Sequence, residues 1–212
     1  FLRPKSSWVS RGLIFIILFT IFGGVHLVLA FGWPWTEAII LFKILAGISA
    51  FLVVIYTGFV MNRVTGIGLW NSAMLPILFL GYGILGGMGL AMLVGLIAGG
   101  IDMQALEWAI RFQLVLCAIL LGIYLWSITY GPSSGKVSVH KQLSGSLAPA
   151  FWVGVVLLGF LVPVGISSYA YASGDIAPAL LGIGVASELA GGLSLRYCIL
   201  KGGFYSSLLP TR

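Results

Sequence analysis

The sequence predicts an all-α protein, a polytopic transmembrane bundle of about six helices that forms one integral membrane domain over residues 1–212. Three observations predict it. Hydrophobic residues make up 60% of the chain and charged residues 8%, whereas a soluble domain carries about a quarter charged residues because it must face water. The mean hydropathy is +1.13, so lipid is the solvent. About six stretches reach the roughly 20 apolar residues that a spanning helix needs. Strands of a membrane barrel would alternate polar and apolar residues, and these runs are apolar all round.

Taken in order, the predicted spans cover residues 12–31, 37–61, 72–99, 108–130, 148–172 and 178–200. The breaks between them carry turn chemistry: Gly32-Trp33-Pro34, Asn62 to Gly68, Gly99 to Asp102, Gly131 to Gly135, and Ser173-Gly174-Asp175. Glycine pairs inside the spans permit close approach of helix backbones. The first stretch follows a basic segment and ends on Val28-Leu29-Ala30, as a secretory signal does. It is read as a true span, because the second stretch needs a bundle to shelter Lys43.

Charge separates by side. Arg3, Lys5, Arg11, Arg63, Lys136, Lys141, Lys201 and Arg212 flank one end of the spans, and Glu37, Asp102 and Asp175 the other. By the positive-inside rule the basic end faces the cytoplasm of a cell-membrane protein. Tryptophans 8, 33, 35, 70, 108 and 126 fall near span ends, where amphipathic rings prefer to lie. The net charge of +6 is therefore orientation chemistry and not a nucleic-acid footprint. Cys117 and Cys198 stand alone in apolar runs, with the spacing of small core residues and of no disulfide or metal framework.

An ionisable group at mid-bilayer costs about 2.5–3.5 kcal/mol on insertion scales, so each one calls for a reason. His26, Lys43, Glu107 and Arg111 lie towards the acidic side, Glu188 nearer the middle and Arg196 near the basic end. Glu107 and Arg111, four apart, share a helix face and form an ion pair. One account is structural, charges snorkelling from span ends; the other is a proton path through His26, Lys43, Glu107, Arg111 and Glu188. A lone carboxylate such as Glu188 favours the second. With His26 in a span and His140 in a loop, no pair of axial histidines brackets a haem, so bound haem is not expected. No cysteine cluster offers an iron–sulfur site, and no catalytic residue or metal ligand set is identified. Any redox centre is expected in a partner.

The richest segment runs from Tyr56 through Arg63 and Leu69-Trp70-Asn71 to Pro76 and Phe79. With Lys5-Ser-Ser-Trp-Val-Ser-Arg-Gly12 and Gly191-Gly-Leu-Ser-Leu-Arg-Tyr-Cys-Ile-Leu-Lys-Gly-Gly203, it resembles the polysulfide reductase membrane-subunit family (NrfD/PsrC type). The resemblance spans most of the chain and makes its helices the third to eighth of that family, the first two apparently lacking. It implies a membrane anchor of a respiratory oxidoreductase complex. Tyr56 would hydrogen-bond a carbonyl of menaquinone or ubiquinone, with Trp70 and Asn71 as further site residues that shape the loop and cap the third helix. Electrons would pass to an iron–sulfur subunit, and through it to a molybdopterin-type or other catalytic subunit. Residues 12–71 would belong to the quinone-binding bundle and 72–212 to a second four-helix bundle. A tyrosine hydroxyl suits such a site without the family, being a neutral donor and acceptor that tolerates burial when paired. The competing class is a secondary transporter or proton-conducting protein built on Lys43, Glu107, Arg111 and Glu188; a third is an anchor without quinone.

Overall fold

A computed structural model describes residues 8–32, 36–131, 133–173 and 178–205, with the side chains of Trp8 and Thr36 left out. Arg3, Lys5, Trp33, Trp35, Asp175 and Arg212, to which the sequence assigns a membrane side, lie outside the described residues. The elements are α1 (Trp8–Gly32), α2 (Thr36–Asn62), α3 (Met74–Ala98), α4 (Met103–Thr129), α5 (Ser133–Leu143), α6 (Ala150–Ser173) and α7 (Pro178–Gly202). All but α5 are long and apolar enough to cross a membrane. The protein is a multi-pass membrane protein.

The spans sit where periodicity and turn residues place them, with local shifts that have causes. Helix α4 begins at Met103 and not near Trp108, because the Asp102 carboxylate accepts from the Ala105 N–H at 3.0 Å and caps the first turn. The first half of α6, Ala150–Leu161, winds as a π-helix, and its second half, Val162–Ser173, as an α-helix. Pro163, which has no N–H to give to either ladder, stands just beyond that change. Residues 133–143 correct the reading of a loop around His140: they form α5, whose last turn contains His140. The helix is too polar to span. It lies against α4 and α7, burying Ser134, Ser138, Val139 and Gln142 and leaving Lys136 and His140 exposed.

Helix α3 is the centre, packed against α2, α4 and α7, and it buries ten residues. Its Leu75, Leu78, Tyr82 and Leu85 meet Leu114, Cys117 and Tyr124 of α4 and Leu195, Cys198 and Ile199 of α7 in one core. Both cysteines are free and buried, as their apolar settings predict. Helices α6 and α7 approach most closely at glycine: a Cβ on Gly191 would overlap the backbone of Gly159. The pair Gly23-Gly24 does not serve this way, with no described atom within 4 Å. Helix α1 packs on α2 and buries only Ser10 and Gly12 among its described side chains. The α1–α2 hairpin thus joins the rest through α2 and α3.

The basic side is closed by hydrogen bonds. The Tyr124 hydroxyl donates to the Leu69 carbonyl at 2.6 Å, Trp70 Nε1 to the Ile199 carbonyl at 2.8 Å, and Gln142 Nε2 to the Cys198 carbonyl at 3.0 Å. Gly68 lets the loop lie on α5, since a Cβ there would sit 2.6 Å from Ser134 Oγ. Ile67 and Tyr205 add an isolated antiparallel bridge. Arg63, Lys136, Lys141 and Lys201 lie on this side and Glu37 and Asp102 on the other, as the charge pattern predicts.

Candidate functional site

Tyr56 projects from α2 towards α1. Val54 and Gly58, which meet Gly83 and Pro76 of α3, are each two residues away, about 200° around the helix. The Tyr56 ring fills a notch left by Gly12, where any Cβ would overlap it, and meets Phe15 edge-on at 6.5 Å. It is half-buried. Trp70 points elsewhere, its N–H already committed to the end of α7. Asn71 is exposed, and the cap of α3 is not its side chain: Ala73 precedes the helix, and the Ser72 hydroxyl accepts from the Met74 N–H at 3.3 Å. Ser72 does so because it stands two residues before Met74, at the reach of a short side chain.

The charged residues divide into two groups. Glu107 and Arg111 form the expected ion pair, about one-fifth exposed. Arg111 also donates to the Ser167 carbonyl at 2.8 Å and lies 5.1 Å from the Trp108 ring and 5.9 Å from Tyr171. Glu188 is 5% exposed, and its Oε1 is buried without a hydrogen-bond partner among the described residues. Glu107 and Glu188 line one cavity of about 30 Å³ with Ile110, Pro163 and Ser167, room for one or two waters. Ile110, Pro163 and Ser167 also line a second cleft, about 160 Å³, with Arg111. Arg111 thus lines the second cleft, and its ion-pair partner Glu107 lines the first.

His26 and Lys43 belong to the α1–α2 hairpin, away from this cavity. His26 is half-buried, with Nδ1 enclosed and lacking a partner among the described residues. Lys43 is exposed, so the expectation that the chain's own bundle shelters it is corrected. The face of α2 that carries Lys43 is one that α1 and α3 do not cover. Sequence reasoning missed Tyr82, whose hydroxyl is buried without a hydrogen-bond partner among the described residues, and Gln113, which donates to the Gly81 carbonyl at 3.0 Å. Neither is charged at neutral pH, so the insertion-cost argument passes over both.

Fold and site together define a polytopic helical membrane protein with a tyrosine seated between its first two spans and two carboxylates lining an interhelical cavity. The family model described as "Polysulphide reductase, NrfD" matches residues 6–206. The protein belongs to that family. A protein NrfD homolog of Haemophilus influenzae is 30% identical over 131 residues, 59% of this chain and 39% of the relative. The C subunit of the polysulfide reductase of Wolinella succinogenes is 30% identical over 176 residues, 78% of this chain and 52% of the relative. The sequence thus spans about half or less of the length of these curated relatives. No solved structure matches it.

Proposed function

We propose that this protein is the quinone-handling part of a membrane anchor subunit in a respiratory oxidoreductase complex. Tyr56 donates to a carbonyl oxygen of menaquinone or ubiquinone. Electrons are exchanged with an iron–sulfur subunit on the basic face, and through it with a molybdopterin-type or other catalytic subunit. Membership of a family that includes a polysulfide reductase subunit supports the setting. The observation that carries the site is the seat of Tyr56, a neutral phenol held by Gly12 and Phe15 between two spans that bury little else. The quinone supplies the two-electron, two-proton chemistry. Tyr56 orients it, and Trp70, whose N–H is taken, keeps the neighbouring loop in place.

Glu107, Arg111 and Glu188 are the proton route from the acidic face in this reading. Arg111 holds Glu107 by their ion pair, while the small cavity lets water pass a proton between the two carboxyl groups. The experiment is Tyr56→Phe in the assembled complex. Assembly persists and quinol-driven turnover falls about 2–12-fold, the worth of one hydrogen bond of about 0.5–1.5 kcal/mol. Wild-type quinol kinetics in that variant remove Tyr56 from the site.

A further inference from the structure

A groove runs between α2 and α7 on the basic half of the bundle, floored by α3. Val53, Thr57 and Met61 form one wall, Phe79 the floor, and Arg196 with Leu200 the other wall, around about 320 Å³. That is the lower end of ligand-sized pockets. From Val53 to Met61 is about 12 Å of helix, so the groove is long, apolar and bounded by two membrane spans. Its one charge is Arg196, about 9 Å of helical rise before the end of α7 at Gly202.

The sequence has five carboxylates to meet that charge, and each is placed elsewhere. Glu37 begins α2, Asp102 caps α4, Glu107 pairs with Arg111, and Glu188 lines the acidic-side cavity two turns away. Asp175 belongs by sequence to the connection that precedes α7. No hydrogen bond or ion pair joins Arg196 to another described residue. Tyr82, only 7% exposed, lines a crevice with Arg196, and its buried hydroxyl has no hydrogen-bond partner among the described residues. A guanidinium among apolar walls without a counter-charge is costly, and no carboxylate among the described residues meets it.

We propose that this groove binds an anionic phospholipid, its phosphate oxygens accepting from Arg196 and an acyl tail lying over Phe79 between Thr57 and Leu200. The fork of a guanidinium matches phosphate oxygens, and basic pockets between spans on the cytoplasmic side recruit anionic head groups. A quinone offers carbonyls but no charge, and free phosphate leaves the apolar walls uncovered. The site is independent of the quinone reading, since Tyr56 lies on the α1 side of α2.

The test reconstitutes the full-length protein in phosphatidylcholine vesicles doped with spin-labelled phosphatidylglycerol or spin-labelled phosphatidylcholine. The motion-restricted fraction is about fivefold in favour of phosphatidylglycerol, the worth of one basic side chain near the surface. Arg196→Gln abolishes the preference, Arg196→Lys retains it, and Leu200→Trp, which fills the groove with the charge intact, also abolishes it. Equal retention of both lipids by the wild type overturns the proposal, as does a preference that survives Arg196→Gln or Leu200→Trp. Quinone copurifying in stoichiometric amount and lost in Arg196→Gln overturns it too. A failure of the quinone reading would instead show as unaltered quinol kinetics in Tyr56→Phe, with lipid selectivity intact.

Discussion

Glu107, Lys43 and Glu188 all lie within spans, yet their charges are met in three ways. Glu107 has Arg111 at the next turn, Lys43 is exposed on the hairpin, and Glu188 is enclosed with an unpartnered oxygen. Because Glu188 Oε1 makes no hydrogen bond among the described residues, the nearly isosteric Glu188→Gln removes none. The variant is expected to keep its thermal midpoint while losing membrane-potential generation during turnover, read with a potential-sensitive dye in sealed vesicles. Wild-type charge movement would make Glu188 structural. Glu107→Gln should instead lower stability, since it leaves a half-buried guanidinium without its anion; an unchanged melt would show that Ser167 and the two aromatic rings suffice. The Glu107–Arg111 pair was legible from spacing alone. The exposure of Lys43 was not, because sequence gives its depth but not the face that neighbours cover. Nor was the start of α3, since Asn71 is a good capping type but the residue at the cap position is Ala73, with no side-chain cap.

At the scale of elements, hydropathy found every span because lipid imposes one requirement on all of them. It overlooked α5, whose polar residues gain their helix from contacts with α4 and α7 and not from bilayer burial. The π-helical half of α6 has no hydropathy signature either, as the same apolar residues serve both windings. Two adjacent glycines provide a sharp test of helix contact. A Cβ at Gly191 overlaps the Gly159 backbone, whereas one at Gly192 lies 3.7 Å from the Tyr82 ring, an ordinary contact. Gly191→Ala is therefore expected to cost about 1–3 kcal/mol by overpacking, with Gly192→Ala near neutral, in thermal melts of the detergent-solubilised protein. Equal effects would contradict the α6–α7 contact. Tyr124→Phe should cost about 1–3 kcal/mol by leaving the fully buried Leu69 carbonyl unsatisfied, and a melt identical to wild type would contradict the closed basic side.

At the scale of the molecule, a well-buried four-span unit around α3 carries a hairpin with little buried surface of its own. The side assignment was legible because lysine and arginine sort by membrane face, and the structure gathers Arg63, Lys136 and Lys201 at one end accordingly. The family was legible through the Tyr56 to Asn71 segment together with residues 5–12 and 191–203, because a helix-end tyrosine by itself reads as an interfacial anchor. The structure separates that segment's members, with Tyr56 packed against α1 and Trp70 hydrogen-bonded to the end of α7. The central claim is that Tyr56 binds quinone. It is tested most directly by titrating the full-length protein in detergent with a short-tailed naphthoquinone and following quenching of tryptophan fluorescence. The account predicts saturable quenching, with Tyr56→Phe raising Kd about 2–12-fold, again one hydrogen bond's worth, and Trp70→Phe leaving Kd unchanged once its own emission is subtracted. Quenching that never saturates, or a Kd indifferent to Tyr56→Phe, would contradict it.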